Sequence, residues 1–282
     1  MSTAGQQSAK VRTERRELSM SDFQKEIFRL SAEAESHNWL IYGDSNCGKT
    51  VVAGTCPGKT FWLVGEPGYK TAIRRGAQGH GHVIGDTATA MAAVEFLEGK
   101  AKNNKYRYEN LDWVVLDGLT TMDDRFRLGY AQEAFDINPT KRQHRNLPDK
   151  PDYFNAQNFL KSWIPRLVDM PVNLLITAHA KRTDREDGEL MVHPGVQGKG
   201  GEVANAISGL MDLTGYMEAK RLPVKDKDET RLVRRLWFET PARKRDEENV
   251  RYVCGEKYGV LGRYMDFPTV PSILDKISGE ES

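Results

Sequence analysis

The sequence predicts an α/β fold: a mostly parallel central sheet flanked by helices, with an antiparallel extension toward the C-terminus. Three observations carry this. Short apolar runs at 39–42, 59–65, 111–117 and 172–177 are nearly continuous in aliphatic and aromatic residues, the pattern of strands buried on both faces. Segments with helical spacing lie between them, which makes the connections crossovers rather than hairpins. After residue 210 the pattern changes to two strand-like runs on either side of a charged turn, the pattern of an antiparallel pair.

With 282 residues the chain suits one large domain with appendages and can bury a sufficient core. A net charge of +1 excludes a wholesale polycation, so any nucleic-acid surface must be a local patch. Cys47, Cys56 and Cys254 form no close pair and no ligand spacing, which argues against a disulfide framework or a zinc site and fits a reducing cytoplasm. No apolar run approaches membrane-span length, and the first ten residues lack the apolar core of a signal peptide, so no membrane partner is expected.

Residues 1–20 read as a flexible polar tail, either solvated or a basic arm built on Lys10, Arg12, Arg15 and Arg16. Ser21 and Asp22 can cap a helix over 22–34, and a single domain is expected over 21–270. Its first strand runs straight into Gly43-Asp44-Ser45-Asn46-Cys47-Gly48-Lys49-Thr50. This matches GxxxxGK(S/T), in which backbone N–H groups curl round a phosphate, the lysine reaches the terminal phosphates and the hydroxyl ligates magnesium. A strand before the loop and a helix opening at Lys49 supply the context the motif needs, so a nucleoside triphosphate with magnesium is the expected ligand. Gly54, Pro57 and Gly58 must stop that helix within about two turns.

The strand at 59–65 ends in Glu66-Pro67-Gly68, a carboxylate where ligands of open α/β sheets bind. Glu66 is either the group that orients or deprotonates an attacking water, or a turn glutamate ahead of Pro-Gly. Residues 82–85 give a small strand and 87–100 a helix. The strand at 111–117 closes on Asp117. The run LTTMDDRFRLGYAQ beyond it does not alternate as a returning strand would, which favours a magnesium role through water over a hairpin turn.

Residues 135–151 form an exposed insertion with Lys141, Arg142, His144, Arg145 and Lys150, either a phosphate-contacting patch or a solvated charge run. A helix over 152–169 comes next, with Pro165 in a position to kink it. The strand at 172–177 hands on to His179, which can either bond a terminal phosphate or be structural. Residues 180–201 are charged and glycine-rich with little to bury, so a mobile loop is expected. Once ordered, its Lys181, Arg182, Arg185 and Lys199 can meet a nucleic-acid backbone. A helix at 202–209, strands at 210–217 and 231–240, a hairpin within 250–270 and a frayed end over 271–282 complete the chain.

The stretches GDSNCGKT, FWLVGEPG, WVVLDGLTT, LLITAHAKR and GGEVANAISGLMDLTGY, with TPARKRDE after them, fall in an order and spacing that resemble the RecA-core P-loop ATPases. The resemblance spans residues 36–255 and is nearer still to the small phage ATPases of that core that act in single-strand annealing and recombination. Only the phosphate loop is individually specific. The resemblance implies an ATPase that takes ATP and Mg2+, in which Glu66 activates water and His179 senses the γ-phosphate. It implies further that the loop at 180–201 meets single-stranded DNA. One of Arg243, Lys244 and Arg245 would then reach a neighbour's nucleotide within a homo-oligomeric ring or filament, in the cytoplasm of a phage-infected host.

The same cluster runs into Asp246, Glu247 and Glu248 and reads equally as a self-neutralising surface. The insertion at 135–151 has no counterpart in that family, and Pro67 constrains the glutamate. The rival reading is a nucleotide-gated protein-interaction switch with slow hydrolysis and no DNA binding. It stands because 180–201 carries no Phe, Tyr or Trp on which bases could stack.

Overall fold

Strands β1 (Asn38–Gly43), β2 (Thr60–Val64), β3 (His80–Val83), β4 (Trp113–Asp117) and β5 (Asn173–Asp184) are parallel neighbours, and β1, β2 and β4 are buried along their whole length. Burial on both faces is what continuous runs such as WLIY and WVVL require. The computed structural model describes residues 36–100, 104–185, 188–223, 229–240 and 250–280. The sheet continues through β6 (Leu190–Pro194), β7 (Leu213–Pro223), β8 (Thr230–Trp237), β9 (Val250–Tyr252), β10 (Gly255–Glu256) and β11 (Tyr264–Asp266). Its order is β11-β8-β7-β1-β5-β4-β2-β3, in which β7 pairs parallel with β1 while β8 and β11 are antiparallel. The fold is therefore the one expected: a mostly parallel sheet with an antiparallel C-terminal side.

Alternation along each strand divides the core in two. Leu40, Tyr42, Leu63, Leu116 and Ile176 face a layer formed by α3 (Thr87–Leu97), α4 (Leu119–Ile137), α5 (Lys150–Val168) and α6 (Glu202–Leu210). Trp39, Ile41, Val64, Trp113 and Leu175 face α1 (Lys49–Ala53), α2 (Tyr69–Arg74) and α7 (Val270–Ser278). Helix α1 is as short as its breakers demand, because Gly54 caps it and its amide folds back on Thr50. Pro165 sits in the last turn of α5 without ending it.

Several expectations need correction. Residues 180–184 are not the start of a loop: β5 runs on to Asp184 and pairs antiparallel with β6, so much of the segment read as mobile is a β-hairpin. Nor is 250–270 a hairpin, since β9, β10 and β11 pair with β6, β7 and β8 respectively. The end expected to fray instead carries α7, capped by Thr269 and Ser272 and anchored by buried Val270 and Ile273. In the insertion, Arg142 pairs with Asp149 and with buried Asp152, and Arg145 forks onto Asp136, so these cations are neutralised within the chain. The tail, the helix at 22–34 and the cluster Arg243-Lys244-Arg245 lie outside the described residues.

Candidate functional site

Strands β1, β2 and β4 end level with one another. Register sets Gly43 opposite His179, Asp117 opposite Thr177 and Val64 opposite Asp117, so the segments leaving β1, β2 and β4 start along one edge of the sheet, level with Thr177–His179 of the longer β5. There Lys49, Thr50, Glu66 and His179 line one cleft of about 440 Å³.

The loop from Gly43 to Thr50 turns in a space only glycine permits at its first position, because a Cβ on Gly43 would lie 2.0 Å from the Met217 carbonyl oxygen of β7. Asn46 and Gly48 take positive φ values of 64° and 111°, which curl the backbone before α1 begins. The buried Lys49 ammonium donates to the Gly43 and Asp44 carbonyls at 3.0 and 2.8 Å and so is held across the loop mouth.

Thr50 donates its hydroxyl proton to Asp117 Oδ1 at 2.9 Å, and Thr177 donates to the same oxygen at 2.6 Å. The Thr177 oxygen in turn accepts the Gly118 amide at 3.0 Å. Asp117 is wholly buried and its Oδ2 has no hydrogen-bond partner among the described residues. Burial pushes its pKa up, while the two hydroxyls and Lys49 pull the other way. A Cβ built on Gly68 would lie 3.3 Å from Thr50 Oγ1 and 3.6 Å from Asp117 Oδ2, so the orphaned oxygen and the hydroxyl oxygen face the same space.

This donor set fits magnesium. The cation is hard and oxygen-seeking, and it takes one or two protein oxygens plus water and phosphate rather than a protein cage.

Across the cleft, Glu66 Oε2 lies 3.4 Å from His179 Nε2. The hydrogen bond with His179 holds the Glu66 pKa below its ordinary value, against the opposing effect of burial. The other ring nitrogen of His179 is 3.5 Å from Ser45 Oγ, and its amide donates to Thr120 Oγ1 at 2.9 Å. His179 thus links the phosphate loop, Glu66 and the first turn of α4.

The structure draws together Gly43–Thr50, Glu66, Asp117 and His179. It separates the four loop cations. Lys181 donates to Gln197 Oε1 at 2.8 Å, Arg182 approaches Asp44 of the phosphate loop at 3.6 Å, Arg185 pairs with Glu189 at 3.1 Å, and Lys199 lies in an exposed turn. Sequence reasoning missed Thr177, Thr120 and Arg234. A polar residue closing the apolar run NLLIT was a usable signal for Thr177. Nothing near Arg234 in sequence distinguishes it from Arg231 or Arg235.

A family described as "AAA domain" matches residues 36–234, more than half of the chain. No curated protein matches it. None of the described helices is long and apolar enough to cross a membrane.

Proposed function

As a member of the AAA domain family, the chain carries a P-loop ATPase-type domain, and we propose that it binds and hydrolyses ATP with magnesium and couples this to single-stranded DNA in phage-type annealing, recombination or replication. The observation that carries the reading is the convergence of Lys49, Thr50 and Glu66 on one cleft at the sheet edge, with buried Asp117 bonded to Thr50 behind it. Thr50 and Asp117 are the magnesium-holding residues, and bound magnesium offsets the charge of the phosphates. Thr50 suits this because its proton is committed to Asp117, leaving its lone pairs to the cleft. Lys49 exchanges its two carbonyl partners for phosphate oxygens.

Without nucleotide, the contact with His179 holds the Glu66 pKa below its ordinary value and engages the carboxylate that is to accept a proton from an attacking water. The Nε2 of His179 cannot serve both Glu66 and a γ-phosphate. Bound ATP therefore frees the carboxylate, and loss of the phosphate restores the pair. Because β5 runs without a break from His179 to Lys181 and Arg182, the hairpin is positioned to respond. Assembly into a ring or filament, with Arg243, Lys244 or Arg245 acting on a neighbour, completes the reading.

One observation favours the rival switch without DNA: Lys181, Arg182 and Arg185 all have partners within the chain. The deciding experiment is ATP turnover with and without single-stranded DNA, using Lys49→Ala as the blank. Turnover raised by DNA supports the main reading, turnover indifferent to DNA supports the switch, and equal turnover in Lys49→Ala refutes both.

A further inference from the structure

Arg234 lies on β8, two strands from β1, yet its side chain crosses Met217 of β7 and reaches the phosphate loop. A Cβ on Gly48 would meet Arg234 Cδ at 2.8 Å, Nε at 2.9 Å and Met217 Cε at 3.2 Å. The guanidinium lines the same cleft as Lys49, Thr50, Glu66 and His179. Its Nε is buried without a hydrogen-bond partner, and the residue forms no ion pair among the described residues.

Arg235, the next residue, shows what an arginine on this strand does when its role is structural. On the opposite face, it forks onto Asp266 at 2.6 and 2.9 Å and stacks 3.8 Å from the centre of the Tyr264 ring. A half-buried guanidinium with no acceptor is costly unless an anion completes it. The cleft beside it is where phosphate charge is expected.

We infer that Arg234 is a nucleotide-phosphate ligand supplied within the same subunit, contacting the α/β-phosphate side of the site. The inference rests on the phosphate-loop reading above. Position along the loop assigns the side: Ser45, His179 and Glu66 mark the γ end, whereas Arg234 lies over Gly48, in the part of such loops whose amides cradle the inner phosphates. A contact made there exists equally with ATP and ADP. It therefore contributes to the affinity for both nucleotides, unlike a cation that meets the γ-phosphate alone.

The test is binding of a fluorescent ADP analogue and its displacement by ATP and by inorganic pyrophosphate. Arg234→Met keeps the aliphatic chain over Gly48 and removes only the charge, Arg234→Lys restores a charge, and Arg235→Met controls for damage to β8. For Arg234→Met the affinity for the analogue, ATP and pyrophosphate should each fall on the order of 10- to 100-fold, the span of a lost charge-assisted hydrogen bond. Arg234→Lys should recover part of the loss, and Arg235→Met should bind as the parent does.

Unchanged affinity in Arg234→Met overturns the inference. So does equal loss in Arg235→Met, or weakened ADP binding with unaltered pyrophosphate, which would move Arg234 to the base or ribose. A parent protein that binds none of the three ligands would instead bring down the ATPase reading itself.

Discussion

Asp117→Asn separates what the carboxylate does for the ligand from what it does for the fold. Its Oδ1 accepts from Thr50 and Thr177, and asparagine can keep both bonds, while the buried and partnerless Oδ2 becomes an amide. Leaving a buried acceptor unpaired costs about 1–3 kcal/mol, more when it is charged. The variant's amide also lacks a partner, so only part returns, about 1–2 kcal/mol. For a domain of this size that raises the unfolding midpoint by about 2–4 °C per kcal/mol. The sign of the pH dependence comes from the shift. Burial raises the folded pKa of Asp117 above the ordinary 3.8, so its protonated form favours the fold. Its contribution is fully present below pH 3.8 and is lost as pH climbs through the raised folded value.

The two proteins should therefore melt nearly alike in acid, with the variant gaining as pH rises and holding a constant advantage above that window. Comparing them cancels the opposite behaviour of Glu66 and of the other carboxylates held low by partners. The assay is thermal unfolding from about pH 4 to pH 8, with and without ATP and magnesium, read against the few-degree span expected. With ligand the order should reverse, because the variant has lost the charge that holds the cation. A variant that melts below the parent at neutral pH without ligand would refute the burial argument. One stabilised by ATP and magnesium as strongly as the parent would refute the metal role.

Glu66→Gln keeps shape and hydrogen bonding but removes the base, so turnover should fall on the order of 10²-fold with nearly normal ATP affinity. Full turnover would return Glu66 to a turn residue. If the hairpin meets DNA, Lys181→Ala, Arg182→Ala and Lys199→Ala should each flatten the dependence of binding on salt, by about one counterion per lost phosphate contact; an unaltered slope would move the DNA surface elsewhere. For the cluster at 243–245, a protein carrying Arg243→Ala, Lys244→Ala and Arg245→Ala should be inactive alone and regain activity when mixed with Lys49→Ala protein. No recovery despite co-assembly would exclude action on a neighbour.

The sheet and the residues that line the candidate site were legible in the sequence for one physical reason. Strands buried on both faces must be apolar throughout, so polar residues at their ends stand out: Lys49 and Thr50 beyond WLIY, Glu66 beyond FWLV, Asp117 beyond WVVL and His179 beyond LLIT. That these groups gather at one end of the sheet is a result of parallel pairing, which aligns Gly43 with His179 and Asp117 with Thr177. Arg234 was not legible because its distance from the loop is a tertiary fact. It lies 186 positions beyond Gly48 and comes within reach through the pairing of β8 with β7 and of β7 with β1.

The segment at 180–201 was misjudged because apolar content is only one source of order. Its backbone pairs Ala180 through Asp184 with Leu190 through Pro194, order that a count of apolar residues does not show. Its few apolar side chains are spent well, since Met191, Val192 and Val196 are buried and the last two join the main core, while buried His193, 1% exposed, meets Thr183 at 2.9 Å. The turn beyond is fixed from α4, where buried Asp123 accepts the Gln197 amide at 2.8 Å while Lys181 holds the Gln197 side chain. Both supports trace back to the same strand ends, since β5 passes Thr177 and His179 before reaching Lys181 and α4 starts two residues beyond Asp117. A hairpin held in this way is tied to the candidate site from both sides, through β5 and through α4, so Lys181 and Arg182 sit on a strand continuous with Thr177 and His179.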